Sequence, residues 1–235
     1  QSLVDRFRAK ASKAAMAQSR LKMMEKMGTM EKLDTEKNLG FKFNYLSCPG
    51  KTLMTVKDLS FSYDNKSENN IFSNLSFSIG SRDRIGIIGA NGKGKSTLIN
   101  CLAGELVHNS GFITKHPSTR LGHFGQTNID RLDSQNRVLD EILRANQNLS
   151  LQAAHSICGA MMFDGDLSKK KISVLSGGER SRVLLGKIIS HPTNVLLLDE
   201  PSHHLDVESI ESLIEELNDY TGALVIVTHS ELILR

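Results

Sequence analysis

The sequence has few cysteines, no paired cysteine motif and no long apolar run. Cys48, Cys101 and Cys158 lie far apart and form no CxxC pair, which argues against a metal cluster or a disulfide framework. We therefore expect free thiols in a reducing cytosol. The longest apolar runs, at 195–198 and 223–227, are far shorter than the roughly 20 residues that span a bilayer. They predict buried strands instead, and no membrane partner is expected.

A signal peptide and an initiator methionine are also missing from the start, which reads Gln-Ser-Leu-Val-Asp. We therefore expect the 235 residues to begin partway through a longer polypeptide. The net charge of +3 is too small to indicate a nucleic-acid partner by itself. Its distribution is uneven, however. Residues 4–27 carry seven basic and two acidic side chains, a net charge of +5, so the rest of the chain is near −2.

Residues 4–27 contain neither glycine nor proline, and their apolar residues recur at steps of three and four, which predicts one helix. Such a helix suits the phosphate backbone of a nucleic acid. The candidate contacts are Arg6, Arg8, Lys10, Lys13, Arg20 and Lys22. The alternative is a solvated amphipathic or coiled-coil arm, because charged helix faces are usually exposed to solvent without binding a partner.

Three regions are predicted along the chain: a basic linker helix at 1–30, a connector at 31–52 with a short strand at 41–45, and a main domain at 53–235. Alternating apolar residues from Met54 and from Phe72 predict antiparallel strands. Further on, short buried runs alternate with helical segments, which predicts an α/β core with parallel strands.

Residues 134–171 are polar and helix-like, and a helical subdomain is predicted from about 130 to 190. A helix is expected from Gly177 and another near 207–218. The sequence ends six residues after His229, so a closing helix is expected to be absent.

Residues 89–96, Gly-Ala-Asn-Gly-Lys-Gly-Lys-Ser, fit the phosphate-loop pattern between a predicted strand and a predicted helix. Glycines let backbone N–H groups point at a phosphate, and the following helix adds its positive end. Lys95 would reach the β- and γ-phosphates, and the Ser96 hydroxyl would ligate Mg²⁺. Lys93 adds a second positive charge, which either strengthens phosphate binding or, as we favour, points to solvent. The candidate nucleotide-binding residues are Gly89, Asn91, Gly92, Lys93, Gly94, Lys95, Ser96 and Thr97.

Two carboxylates, Asp199 and Glu200, end the apolar strand predicted at 195–198. Asp199 stands where a magnesium-associated acid is expected, and Glu200 would orient or deprotonate the attacking water. Without the phosphate loop, these acids would be read as a solvated strand end.

The segment Leu175-Ser-Gly-Gly-Glu179 predicts a helix start in which Ser176 and Glu179 form a capping box. A capped helix alone explains these two residues. It does not explain Gly177 and Gly178, which weaken a helix but leave N–H groups bare for an anion.

Together, the phosphate loop, the Leu-Ser-Gly-Gly-Glu segment, the Asp-Glu strand and a lone histidine after another strand resemble the ATP-binding cassette (ABC) family over residues 53–235. The resemblance implies a P-loop NTPase fold of ABC type, with an antiparallel β subdomain and an inserted helical subdomain, and Mg·ATP as ligand. It also implies roles for Gln126 as a sensor of magnesium and the γ-phosphate, for Tyr63 as the adenine stacker, and for His229 as the switch histidine.

The resemblance further implies shared sites, in which Ser176, Gly177 and Gly178 close over ATP held by another cassette, either in the same full-length chain or in a homodimer. One cassette alone would then bind ATP but hydrolyse it poorly. The sequence departs from the usual pattern at three places: Glu179 replaces glutamine, Ser-His-His-Leu-Asp at 202–206 replaces Thr-Asn-His-Leu-Asp, and Ser230 replaces aspartate. None removes a residue that the chemistry needs.

The basic segment 4–27, Glu179 and the His-Leu-Asp at 204–206 resemble the ABC-F branch, whose members are cytoplasmic and join two cassettes by a basic linker that enters the ribosome. The resemblance implies the second cassette of such a protein, with the ribosome, rRNA or tRNA as partner. The alternative is the motor subunit of a membrane transporter, which would use the same ATP chemistry.

Overall fold

Residues 40–202, 205–230 and 233 are described by the structure, a computed structural model, with the backbone alone at Glu208. They lie within one unit, Asn38–Arg235. The basic segment 4–27 and its six candidate contacts fall outside the described residues, as do His203 and His204.

Seven strands and six helices make up the described chain. The strands are β1 Thr52–Phe61, β2 Phe72–Gly80, β3 Arg84–Ile87, β4 Ser110–Lys115, β5 Leu121–Phe124, β6 Val195–Asp199 and β7 Ala223–Val227. The helices are α1 Lys95–Ala103, α2 Gln126–Asp130, α3 Val138–Ala145, α4 Leu151–Ala160, α5 Gly177–Ile189 and α6 Val207–Asp219. Short 3₁₀ turns occur at Ser67–Asn69, Gly165–Lys169 and Ile172–Val174.

The strands form two sheets of different kind. The antiparallel sheet has the order β2-β1-β4, with Val56 of β1 opposite Phe77 and Ile113. The parallel sheet has the order β3-β7-β6-β5. Because parallel strands end at the same edge, the loops after all four strands meet at one edge of this sheet.

Alternate residues of β6 enter two different hydrophobic cores. Val195 and Leu197 pack with β1 and α1, whereas Leu196 and Leu198 pack with residues of α5 and the helical subdomain. All four are fully buried. Successive side chains of a strand point to opposite faces, so a continuous apolar run is what a strand covered on both faces requires. The predicted buried strands at 195–198 and 223–227 are confirmed.

The predicted antiparallel strands, the helix from Gly177 and the α/β core are likewise confirmed. The predicted strand at 41–45 is wrong: only Tyr45 makes a β-bridge, to Thr193. The alternation of apolar residues there is real, because Phe41 and Phe43 are buried, but the backbone groups of Asn44 and Leu46 bond to Thr193, which lies in the loop before β6 and not in a strand. In the described part of the chain, no helix has the length and apolarity needed to cross a membrane.

Candidate functional site

The phosphate loop lies at the carboxyl end of β3 and leads directly into α1. The residue that caps α1 is Gly94, with φ of 85°, in the left-handed region that glycine favours. No side chain caps this helix start. The N–H groups of its first turn are therefore available to a ligand. Because the positive end of the helix dipole lies here, an anionic ligand is favoured.

Gly94 is also required by a close neighbour across the loop. A Cβ built on Gly94 would lie 2.1 Å from the Cγ2 atom of Ile71. Ile71 precedes β2, so the hairpin of β1 and β2 in the antiparallel sheet covers the start of α1. Sequence reasoning missed Ile71, and its only signal was an apolar residue directly after the polar stretch at 64–70.

The ammonium group of Lys95 folds back over its own loop. Its Nζ atom donates to the carbonyl oxygens of Gly89 at 2.8 Å and Ala90 at 3.1 Å. These acceptors fix the charge near the bare N–H groups of the loop. Lys93, by contrast, is exposed, as a solvent-facing lysine would be.

A cleft of about 430 Å³ opens beside the loop, lined by Tyr63, Ile71, Asn91, Gly92, Gly94, Lys95, Ser96, Thr97, Glu200 and Val227. Tyr63 is 68% exposed and stands at its rim. The Tyr63 hydroxyl lies 3.1 Å from the Oγ1 atom of Thr97, and its ring packs edge-on against Phe61. The ring is thereby held while much of its surface remains open.

Glu200, which follows β6, has an unusual backbone conformation with φ of 46°. A non-glycine residue in this region is strained by about 1–3 kcal/mol and is held there by its surroundings. Its N–H group donates to the Val227 carbonyl at 2.9 Å. Its Oε1 atom lies 3.5 Å from Nε2 of His229, and Oε2 accepts from the His229 N–H group at 3.4 Å. The structure thus brings these two predicted site residues together.

Gln126 begins α2, directly after β5, so it lies at the same sheet edge as Asp199 of β6. A Cβ built on the neighbouring Gly125 would lie 3.6 Å from the Asp199 Cβ atom, which shows how closely the two strand ends approach. The Gln126 amide donates to Asp130 at 3.0 Å. Three predicted site residues therefore lie at this edge of the parallel sheet: Gln126, Asp199 and His229. In the described chain, none of them lines the cleft itself.

Asp206 links the loop after Glu200 to two helices. Its Oδ1 atom accepts from the Ser209 N–H group at 2.9 Å and caps α6, while Oδ2 lies 3.2 Å from the Arg182 guanidinium of α5. Partial burial opposes ionisation, but these bonds hold the pKa of Asp206 below its usual value. The loop after Glu200 therefore ends at the Asp206 carboxylate, which caps α6.

The predicted capping box at Ser176 is confirmed. The Ser176 hydroxyl accepts from the Glu179 N–H group at 3.2 Å, and the Glu179 carboxylate accepts from the Ser176 N–H group at 2.8 Å. Ser176 and Gly177 are exposed, and in the described chain neither they nor Gly178 line the cleft. The start of α5 is a second glycine-rich helix end, turned to a different surface.

The groups at the phosphate-loop edge fit a magnesium-bound nucleotide. Uncapped N–H groups and a lysine suit phosphate oxygens, and the Ser96 hydroxyl and the Asp199 carboxylate are oxygen donors of the kind that Mg²⁺ prefers. Tyr63 offers an exposed aromatic face at the rim, which suits a base.

Family comparison agrees with this geometry. A family model described as ABC transporter matches residues 72–203, and a second model with the same description matches residues 1–43. The first match alone covers more than half of the chain. The chain belongs to the ATP-binding cassette family.

Curated relatives of this cassette fall in the predicted F branch. It is 36% identical over 236 residues to the probable ATP-binding protein YheS of Haemophilus influenzae, covering 100% of this chain and 37% of that protein. It is 34% identical over 239 residues to ATP-binding cassette sub-family F member 3 of Mus musculus, covering 100% and 33%. The resemblance to ABC-F proteins is thereby confirmed, and the cassette spans about a third of these relatives' length.

A solved structure with the same fold is a dimeric ATP-binding cassette in a post-hydrolysis state, bound to ADP and phosphate. The TM-score is 0.65 at 19% identity, and the match covers 77% of this chain and 90% of that chain. Identity this low supports the fold alone, and the predicted ABC-type α/β fold is confirmed.

Proposed function

We propose that this chain is the second cassette of a cytoplasmic two-cassette ABC-F protein, which binds and hydrolyses Mg·ATP while acting on the ribosome. The observation that supports ATP chemistry is the cleft, because it gathers the uncapped helix start, Lys95, Ser96 and Glu200 around one space of about 430 Å³. A chance glycine turn would not combine phosphate donors, a cation and an acid in this way.

In this proposal, the loop residues and the start of α1 donate backbone N–H bonds to the phosphates. Lys95 exchanges its bonds to Gly89 and Ala90 for bonds to β- and γ-phosphate oxygens. Ser96, Asp199 and Gln126 hold Mg²⁺, which neutralises phosphate charge when bound. Tyr63 stacks on the base.

Glu200 is the residue that acts on water. A carboxylate next to the cleft can orient a water molecule and accept its proton. His229, 3.5 Å from Glu200, holds this carboxylate and contacts the γ-phosphate. The strained backbone of Glu200 fixes the carboxylate before substrate arrives, as preorganised catalysis requires.

A paired cassette completes the site. Ser176, Gly177 and Gly178 lie at an exposed helix start outside this chain's cleft, which suits a contact with nucleotide held by another cassette. The expected result is that the isolated 235-residue chain binds ATP but turns it over at least about tenfold more slowly than the full-length protein. Equal turnover per cassette at low protein concentration would contradict the need for a pair.

The basic segment 4–27 supports the ribosome as partner, since seven cations on one short stretch favour a phosphate backbone. The test uses full-length protein with Glu200→Gln, which we expect to bind ATP in this cassette without completing its hydrolysis there. We expect it to sediment with purified ribosomes only when ATP is present, and a Lys95→Ala version of the same protein to remain free.

ATP-dependent binding to membrane vesicles with none to ribosomes would overturn the ribosome assignment and favour a transporter motor. A second experiment reverses the charges of Arg6, Arg8 and Lys10. We expect this variant to lose ribosome binding in 150 mM salt and to keep its ATP affinity. Loss of both would indicate a folding role for the segment.

A further inference from the structure

Tyr63 lies in the loop of residues 62–70 between β1 and β2, here called the rim loop. The loop is closed at its base by the Ile71 N–H group, which donates to the Phe61 carbonyl at 2.8 Å. Most of its residues are exposed, and Asn65 has φ of 59°, in the left-handed region. A surface loop of this kind depends on its hydrogen bonds for a fixed conformation. The position of Tyr63 at the rim of the cleft therefore depends on what holds this loop.

Asn109, in the connection between α1 and β4, bonds to the chain just before Tyr63. Its N–H group donates to the Ser60 carbonyl at 3.1 Å, and Ser60 lies opposite Ser110, the first residue of β4. Its side-chain oxygen accepts from the Ser62 N–H group at 2.6 Å. Alternate residues of a strand direct their backbone groups to the same neighbouring strand. The Asn109 side chain therefore serves Ser62 as a partner beyond the start of β4.

The same side chain also bonds to the rim loop after Tyr63. The amide group of Asn109 donates to the side-chain oxygen of Asn65. Both bonds come from one planar amide, which accepts with its oxygen and donates with its nitrogen. Ser62 is only 3% exposed, so water is a poor substitute acceptor for its N–H group. Asn109 thus restrains the backbone one residue before and two residues after Tyr63.

The ring of Tyr63 keeps its own contacts only while this backbone is in place. Its hydroxyl lies 3.1 Å from the Oγ1 atom of Thr97 in α1, and the ring packs edge-on against Phe61. A tyrosine ring turns about two side-chain torsions, so its location follows its backbone. In the described chain, Asn109 does not line the cleft. An effect of Asn109 on a nucleotide therefore has to pass through the rim loop.

We propose that Asn109 is a positioning residue for base recognition, which holds Tyr63 at the rim of the cleft in the orientation that stacks on a nucleotide base. The inference rests on the proposed function, because it requires ATP to bind at the cleft with its base on Tyr63. A ring that is held in place beforehand gives up less conformational freedom when the nucleotide binds. The contribution of Asn109 therefore appears only in the affinity for ligands that carry a base.

Two ligands separate this role from a general effect on the fold: Mg·ATP, and inorganic tripolyphosphate with Mg²⁺, which offers phosphates without a base. Both are titrated calorimetrically into full-length protein, and binding to this cassette is the part that a Lys95→Ala version lacks. We expect Asn109→Leu, which removes both side-chain bonds at similar volume, to weaken ATP binding about fivefold and to change tripolyphosphate binding less than about twofold. Equal weakening for both ligands would overturn the inference.

A conservative variant tests the bonds themselves. In Asn109→Asp, the carboxylate can accept from the Ser62 N–H group, and the Asn65 amide can turn and donate to it. We therefore expect this variant to bind ATP within about twofold of the parent. A loss as large as that in Asn109→Leu would contradict a role for these two bonds.

A double-variant cycle tests whether the effect passes through Tyr63. We expect Tyr63→Ala alone to weaken ATP binding about tenfold, and Asn109→Leu to add less than about twofold in that background. The matched control is Asn70→Leu, which removes a side-chain bond from the rim loop to Ser73 and is expected to keep ATP affinity within about twofold. An undiminished Asn109→Leu effect without the Tyr63 ring, or an equal loss in Asn70→Leu, would overturn the inference.

The outcomes for the parent protein and for Tyr63→Ala separate the inference from the proposed function. If Tyr63→Ala weakens ATP binding and Asn109→Leu does not, the inference alone fails. If Tyr63→Ala has no effect, the stacking role of Tyr63 fails, and the inference fails with it. If the parent protein shows no ATP binding that depends on Lys95, the proposed ATP chemistry itself is overturned.

Discussion

Two helices of this chain begin at glycine-rich motifs, and they are capped in opposite ways. At the start of α1, Gly94 supplies a left-handed backbone and no side-chain acceptor. At the start of α5, Ser176 and Glu179 cap each other's N–H groups. One helix start is left open beside a cleft of its own chain, and the other is closed by its own side chains on an exposed surface.

This difference follows from what each helix start faces. The start of α1 follows the loop after β3 and lies against Ile71, so its backbone is held without a cap. The first turn of α5 has no such cover in the described chain and contains two glycines, which favour unfolding of the turn. A capping box restores about the stability that the glycines remove. In the proposed pair of cassettes, this helix start would then be ordered before the partner cassette contacts it.

The largest expected effect is a difference in ATP affinity between variants of Lys95 and Lys93, the two lysines near the start of α1. We expect Lys95→Ala to weaken ATP binding by about 100-fold or more, because one charge-assisted contact to phosphate contributes about 1.5–3 kcal/mol and Lys95 can make two. Titration of the isolated chain with ATP by calorimetry measures this. The control Lys93→Ala changes an exposed lysine two residues away, and we expect a change below about threefold. Similar losses in both variants would contradict the assigned difference.

The next effect compares a glycine from each helix start. We expect Gly94→Ala to lower the free energy of unfolding by about 1–3 kcal/mol, owing to its positive φ and its clash with Ile71. We expect Gly177→Ala to raise it by roughly 0.5–1 kcal/mol, because alanine favours a helix. Urea unfolding measures both values. The prediction fails if Gly177→Ala destabilises the chain as much as Gly94→Ala does.

A smaller effect tests the cap of the closed helix start. We expect Ser176→Ala to lower the unfolding free energy by about 1 kcal/mol, since the Glu179 N–H group loses its acceptor. The exposed Ser173 provides the matched control, and we expect Ser173→Ala to stay within about 0.5 kcal/mol of the parent chain. Calorimetric melting would resolve the two. A neutral Ser176→Ala variant would mean that the glycines, not the cap, set the stability of this turn.

The smallest effect is the pH dependence of the same cap. Partial burial opposes ionisation of Glu179, but bonds to Ser176 and the nearby Lys170 hold its pKa below the usual value. Because the folded chain lowers this pKa, the carboxylate stabilises the fold above the ordinary glutamate pKa of about 4.3, and this contribution is lost as the pH falls through the lowered value. We expect Glu179→Gln to flatten this part of the curve of unfolding free energy against pH. An unchanged slope between about pH 5 and pH 3 would contradict the assignment.

Much of the fold could be predicted where a local pattern is strong. The runs at 195–198 and 223–227 are apolar throughout, and the expected helices after Gly177 and near residue 207 both form. The strands β4 and β5 were missed. β4 is an edge strand that contains a glycine, and β5 has only four residues, so both are recognisable only through the neighbours they pair with.

The candidate site, too, could be predicted only in part from the sequence. The spacing from Gly89 to Ser96 and the pair Asp199 and Glu200 identified the residue types and their order along the chain. Sequence reasoning could not find Ile71 next to Gly94, because the two residues are brought together only by the packing of the antiparallel sheet against the start of α1. It also could not find the positive φ of Glu200, which depends on the bond to Val227 from a neighbouring strand.

The sequence by itself determined the family, the phosphate loop, the acidic strand end and the two glycine-rich helix starts, because each is written in residues close together along the chain. Only the tertiary structure decided which helix start faces a cleft and that the predicted strand at 41–45 is instead a segment that contacts the ends of α5 and α6. These properties depend on contacts between residues more than a hundred positions apart, such as Asn44 and Ile189. The chemistry of a side chain is set by its residue type, whereas the surface around that side chain is formed by the packing of the whole domain.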